Sequence, residues 1–487
     1  MQDSLKEKTI SGMIWNGIQQ FGSMLLSFIA NLILARLLTP DDFGCIGMIM
    51  VFIAVANIFV DGGFGAALIQ KRNPTQEDYS TIFYWNLVLS IFLFFVLYLL
   101  APYIAGFYKI SFLSSILRVL GCVLIINAFS VIQTNILIKQ LNFKRLAQIN
   151  IVASIVGIIL GVSCAFVGLG IWSLVVQILT ISFVRAVLFW VINRWYPCMV
   201  FSRKSFIELL GFGGLMLLSN VAETISNNIQ SLIIGRFFSA KDLGFYTQAK
   251  KLEEVPVNGL AQVVDQVTFP VFSSIRKDSD DLKQNVKKTM KAITFFNFPL
   301  MVVLIVIAYP LFNILYTEKW NAAVPYFQIL CIEAMFFTLN TTNTNIFKSI
   351  GRSDVYFYVQ LIKRIVGIVI ILIGLKFGIW GIMWSLVLNS YLYFFINSIV
   401  TGWVIHYGLI EQIKDVVLNY LLAILVGLVT YYLTRIIDVC DVFLLMMQVG
   451  IYVLLYLGLA YCLKLEGGKI YYAIIKNKII NFSNKNI

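Results

Sequence analysis

Apolar runs of about twenty residues follow one another along this chain, and a helix of that length spans the hydrocarbon core of a bilayer. Read as helices, the runs fall at 11–35, 44–62, 81–105, 113–135, 147–168, 171–193, 208–235, 243–272, 292–315, 323–346, 355–375, 378–403, 415–434 and 440–463. No soluble-looking stretch longer than about twenty residues interrupts them. Of the 487 residues 60% are hydrophobic and 13% charged, with a mean hydropathy of +0.86. Soluble domains carry about a quarter charged residues. The expected fold is all-α, a polytopic membrane protein of about fourteen transmembrane helices.

The formal charge of +13 invites a nucleic-acid partner, and its distribution argues against one. No basic patch interleaves with aromatics on a polar face. Placing the N-terminus in the cytoplasm puts 24 Lys and Arg in cytoplasmic segments and 7 in the opposite loops, with six inside spans. By the positive-inside rule both termini are then expected in the cytoplasm. The polar start, MQDSLKEKTI, has no cleavage-site pattern, so the first run reads as a retained helix. The seven cysteines are scattered without a CxxC, which points to no disulfide framework, metal or cofactor. A tail at 464–487 mixes Lys with Ile and Tyr, suiting either an anionic membrane surface or a frayed end.

The sequence also repeats itself. NLILARLLTPDDFG (31–44) aligns with SLIIGRFFSAKDLG (231–244) at a shift of 200, pairing Arg36 with Arg236, Asp42 with Asp242 and Gly44 with Gly244. Pro102 and Tyr108 match Pro310 and Tyr316 at 208, Thr134-Asn135-Ile136 matches Thr344-Asn345-Ile346 at 210, and Gly170-Ile171-Trp172 matches Gly378-Ile379-Trp380 at 208. Four matches in one order at nearly constant spacing define two six-helix units in the same membrane orientation. Parallel repeats around a central cavity are a transporter architecture. The expected domains are 1–200, its repeat 201–407, two added helices in 408–463, and the tail.

Polar residues inside spans mark faces turned away from lipid. In the first span Asn16, Gln20, Ser23, Ser27 and Asn31 share one helical face, and Asn220, Glu223, Asn227 and Ser231 continue the pattern in the seventh. The eighth carries Thr247, Lys251, Glu254, Asn258, Gln262 and Asp265 on one face, with Lys250 beside it and Pro256 as an expected kink. Glu333 and the run 340–345 fall in the tenth; Gln360, Lys363 and Arg364 fall in the eleventh. Such stripes line a cavity or glue helices together by hydrogen bonds. The small Ser, Thr and Asn residues suit both uses; the embedded charges favour a cavity. Arg36 and Arg236 suit helix-end contacts, and Arg118 and Arg185, isolated in their spans, suit snorkelling.

With LARLLTPDDFG closing the first span, DGGFGAALIQK (61–71) closing the second, a basic polar N-terminus and a twelve-plus-two count, the chain resembles the polysaccharide transport family. That family lies in the multidrug/oligosaccharidyl-lipid/polysaccharide exporter superfamily and includes O-antigen, capsule and teichuronic-acid-type flippases. The resemblance implies a non-enzymatic, multi-pass protein of the bacterial inner membrane that exports a polyprenyl-pyrophosphate-linked oligosaccharide by alternating access. Membrane lipids, a polysaccharide polymerase and chain-length machinery are the implied partners. Lys250, Lys251, Lys363 and Arg364 would then meet the pyrophosphate. Asn16, Gln20, Asn220, Asn227, Asn258, Gln262, Asn343 and Gln360 would meet the sugars, and Glu223, Glu254, Asp265 and Glu333 are candidates for ion coupling. The rival reading is a cation-coupled drug antiporter of the same superfamily. The absence of a carboxylate in the first span weakens that rival, while Glu223 keeps it open. No HExxH, Gly-rich phosphate loop or paired-carboxylate motif suggests an enzyme.

Overall fold

The computed structural model describes residues 2–275, 279–437 and 439–469. Among them the regular structure is helical. The chain divides into compact units Met1–Thr247 and Gln248–Ile487. The first unit contains α1 (Gln2–Leu37), α2 (Pro40–Asp61), α3 (Phe64–Gln70), α4 (Gln76–Tyr108), α5 (Leu113–Leu120), α6 (Cys122–Lys139), α7 (Phe143–Phe166), α8 (Trp172–Asn193) and α9 (Arg203–Phe237). The division falls inside α10 (Ala240–Ile275). The second unit continues with α11 (Ser279–Val306), α12 (Ala308–Tyr316), α13 (Val324–Ala334), α14 (Phe337–Ser349), α15 (Ser353–Gly374), α16 (Gly378–Ile405), α17 (Leu409–Arg435) and α18 (Asp441–Cys462).

Every expected span coincides with a helix or a broken helix pair: α5 with α6, α11 with α12, and α13 with α14 share spans. Among the described residues eleven stretches are long and apolar enough to cross a membrane, or twelve with a bent α9; one of these, Ser353–Ile405, covers two expected spans. Helix α10 is not among them, as its stripe of charges requires. It runs on with Pro256 and Pro270 inside it. Of the basic tail, residues from 470 onward lie outside the described residues.

The repeated motif has a local cause. Thr39 caps α2: its hydroxyl accepts from the Asp42 amide at 3.3 Å while Asp42 accepts from the Thr39 amide at 2.9 Å. Ser239 and Asp242 make the same reciprocal pair at the start of α10, at 3.0 and 3.3 Å. Each such box satisfies donors that a helix start leaves open. A methyl group on Gly44 would sit 1.7 Å from the Ala240 carbonyl oxygen, and one on Gly244 would sit 1.9 Å from that of Pro40. The two helix starts thus pack backbone to backbone in a reciprocal crossing inside the first unit, at the sequence shift of 200. Arg236 joins this end of the unit by donating to the Phe107 carbonyl and covering the Phe107 ring at 4.7 Å, a helix-end contact of the expected kind.

The core of the first unit gathers Phe64, Leu68, Ile82, Phe83, Ile132 and Leu209, with Trp85, Trp190 and Trp195 packed around them. In the second unit α17 is built into the core. Its Gln412 accepts from Asn343 at 3.0 Å and from Ser398 at 2.7 Å, and Tyr420 meets Tyr391, hydroxyl to hydroxyl, at 3.0 Å. Near its start Glu411 pairs with Lys283 at 2.8 Å, and Asp415 pairs with Lys291 at 3.1 Å and Lys287 at 3.4 Å. The helices that follow the repeat therefore pack as part of the second unit.

Candidate functional site

Four elements of the second unit bring buried and half-buried ionisable side chains near one another. From α10 come Lys250, Glu253 and Glu254; from α13 comes Glu333; from α15, Lys363; from α16, Tyr393. Glu253 is buried, 5% exposed, and lies within electrostatic reach of Glu333, Lys250 and Glu254. Glu333 also interacts with Lys250 and with Tyr393. The ammonium of Lys363 stands 5.2 Å from the centroid of the Tyr393 ring, a cation–π distance. Lys348, near the end of α14, is the other charge within reach of Lys363, and it rests 5.4 Å from the Tyr356 ring.

The distribution of charge here is uneven. The carboxylates collect beside Lys250, whereas Lys363, only 7% exposed, makes no ion pair among the described residues. An ammonium at membrane depth is costly without a partner, and a ring face offsets only part of that cost. Among the described residues no group of three or more His, Cys, Asp or Glu side chains could hold a metal ion.

The other sequence candidates disperse. In the second unit Lys251, Asn258 and Asp265 on α10 are uncovered by protein, while Lys250, Glu254, Gln262, Gln360 and Arg364 are half-covered. Asp265 accepts from Asn345 at 2.7 Å, which ties it to α14. Asn343 is fully buried, donating to Gln412 and accepting from Thr401 at 3.0 Å. Asn340 donates to the Ser390 carbonyl at 3.0 Å and accepts from Asn397 at 2.8 Å. The asparagines of the run 340–345 thus work as interhelical glue, while the hydroxyls of Thr341, Thr342 and Thr344 bond back to carbonyls of their own helix. In the first unit Gln20, Glu223 and Asn227 are uncovered and Asn220 is half-covered; the side chain of Asn16 lies outside the described ones.

Sequence reasoning passed over Glu253, Tyr393 and an inward-facing Arg185. Glu253 was detectable as one more charge in an apolar span, but the stripe ran through its neighbour Glu254. Arg185 turns into the bundle: it is half-buried and its Nη2 donates to Asn127 on α6 at 2.9 Å.

The fold is that of a class of membrane transporters. It matches the lipid II flippase MurJ in an inward closed conformation with a TM-score of 0.76, at 17% identity, over 95% of this chain and 99% of that one. An inward-facing multidrug resistance MATE family transporter of the MOP superfamily matches at 0.59 and 14% identity, over 80% of this chain and 98% of that one. The chain belongs to the polysaccharide biosynthesis protein family, whose model matches residues 33–325. Among relatives, the teichuronic acid biosynthesis protein TuaB of Bacillus subtilis (strain 168) is 26% identical over 437 residues, 88% of this chain and 89% of that protein. The lipopolysaccharide biosynthesis protein WzxC of Escherichia coli (strain K12) is 26% identical over 377 residues, 76% of each chain. The family expected from the motifs is the one found.

Proposed function

We propose that this protein is a flippase that carries a polyprenyl-pyrophosphate-linked oligosaccharide across the bacterial cytoplasmic membrane by alternating access, and that it is not an enzyme. Family membership, the biosynthetic names of its relatives and the flippase fold all support the reading. The observation that carries it is Lys363, a buried ammonium with no carboxylate partner among the described residues, held against Tyr393.

In this reading Lys363 receives the pyrophosphate, with Lys250, Lys251 and Arg364 as further cations. Gln360, Asn258 and Gln262 offer amides to sugar hydroxyls, and Asn343 contributes mainly by holding α14 in place. Glu333, with Glu253 beside it, is the place where a coupling ion is taken up, ahead of Glu223, Glu254 and Asp265. The repeats 1–200 and 201–407 supply the two half-transporters and 408–463 the added pair. Both termini lie in the cytoplasm, and membrane lipids, a polymerase and chain-length machinery are the surroundings in which the protein acts.

Lys363→Gln keeps a polar, hydrogen-bonding side chain, somewhat shorter, and removes the charge. In cells that depend on this protein for a surface glycan, the substitution is expected to cut surface glycan at least tenfold at unchanged membrane level of the protein. Normal glycan at normal protein level would remove Lys363 from the account.

A further inference from the structure

The first unit holds a cation that the reading above leaves unused. Arg185 on α8 donates from Nη2 to Asn127 Oδ1 at 2.9 Å, Asn127 Nδ2 donates to Asn57 Oδ1 at 3.0 Å, and Asn57 Nδ2 donates to the Ile53 carbonyl at 3.0 Å. Each amide in this chain turns its oxygen toward the guanidinium, so side chains from two other helices orient their dipoles to favour a cation at one point. The amides supply orientation and no countercharge. Among the described residues Arg185 makes no ion pair, and its Nε is buried without a hydrogen-bond partner. A guanidinium cannot shed its charge by losing a proton. In a membrane-embedded bundle such a charge calls for an anion or water.

We infer that Arg185, positioned by Asn127 and Asn57, forms a subsite for one carboxylate, that of an acidic sugar in the transported oligosaccharide. The inference rests on the flippase reading and names a substrate class for it. A pyrophosphate carries several charges and is matched by clustered cations, as Lys363 with Lys348 provides. Arg185 offers a single cation with a planar fork, the geometry that suits a carboxylate. The flanking amide nitrogens each retain a second hydrogen for a neighbouring sugar hydroxyl. All three residues are half-buried rather than sealed.

Purified full-length protein in nanodiscs tests this by binding of cellobiouronate and cellobiose, which differ by one carboxylate, beside inorganic pyrophosphate. Wild type is expected to bind cellobiouronate at least tenfold more tightly than cellobiose. Arg185→Gln should abolish that preference and keep pyrophosphate affinity, Arg185→Lys should retain part of it, and Lys363→Gln should do the reverse of Arg185→Gln. Equal binding of the two disaccharides by wild type overturns the inference, a comparison that needs no variant to fold. So does a preference that survives Arg185→Gln, or a loss of pyrophosphate affinity in that variant. Pyrophosphate affinity indifferent to Lys363 would instead strike the flippase reading while leaving the carboxylate preference to be judged separately.

Discussion

Lys71 shows how one residue can fasten a helix junction. Its ammonium reaches Asp78 and Glu208, each at 3.1 Å, and Asp78 is 1% exposed. Burial alone would lower the Lys71 ammonium, but its hydrogen bonds to Asp78 and Glu208 outweigh that and hold it above the usual lysine range. The folded value lies above the unfolded one, so the stabilisation is complete at neutral pH and fades only as pH rises through the folded value. Lys71→Met strands the Asp78 carboxylate and is expected to cost about 1–3 kcal/mol, given the partial exposure of the lysine; a melt in detergent measures it, and an unchanged midpoint would refute the contact. Residues of this kind are half legible in sequence. The apolar setting of Lys363, Asn343 and Arg185 could be read directly, but their partners could not. Gln412 lies 69 positions from Asn343, and Asn127 lies 58 from Arg185. Periodicity places a side chain on a face of its own helix and says nothing of which helix covers that face.

At the scale of elements, the most legible feature was LARLLTPDDFG and its copy, and the structure supplies two reasons for it. Thr39 with Asp42, and Ser239 with Asp242, start their helices. Gly44 and Gly244 let those starts touch, each against the other's first turn. Gly44→Ala and Gly244→Ala force a Cβ into a backbone carbonyl rather than into a yielding side chain, so each is expected to destabilise the first unit by about 1–3 kcal/mol. Thermal unfolding checks this, with Gly106→Ala as a control where a Cβ meets nothing within 4 Å. If all three variants melt alike, the crossing is not a tight contact. Span positions were equally legible, since twenty apolar residues admit few other fates in a bilayer. The packing role of α17 was not, because Gln412, Asp415 and Tyr420 act through residues on α11, α14 and α16.

Across the whole molecule, composition and the internal repeat together specified a membrane transporter. Lipid demands self-satisfied helices, and a duplicated six-helix pattern is one way to build two halves of a carrier. Embedded polar residues proved of two kinds that sequence alone does not separate. Asn340 and Asn343 spend their amides on neighbouring helices, while Lys363 and Arg185 make no ion pair among the described residues. The second kind is what the proposed function rests on. Leaflet-to-leaflet movement of a fluorescent polyprenyl-pyrophosphate-linked oligosaccharide in proteoliposomes tests that function most directly. Wild-type protein is expected to speed the movement at least tenfold over protein-free vesicles, with Lys363→Gln falling back toward the protein-free rate. Wild-type vesicles that leave the lipid in its leaflet while expelling an organic cation would contradict the account.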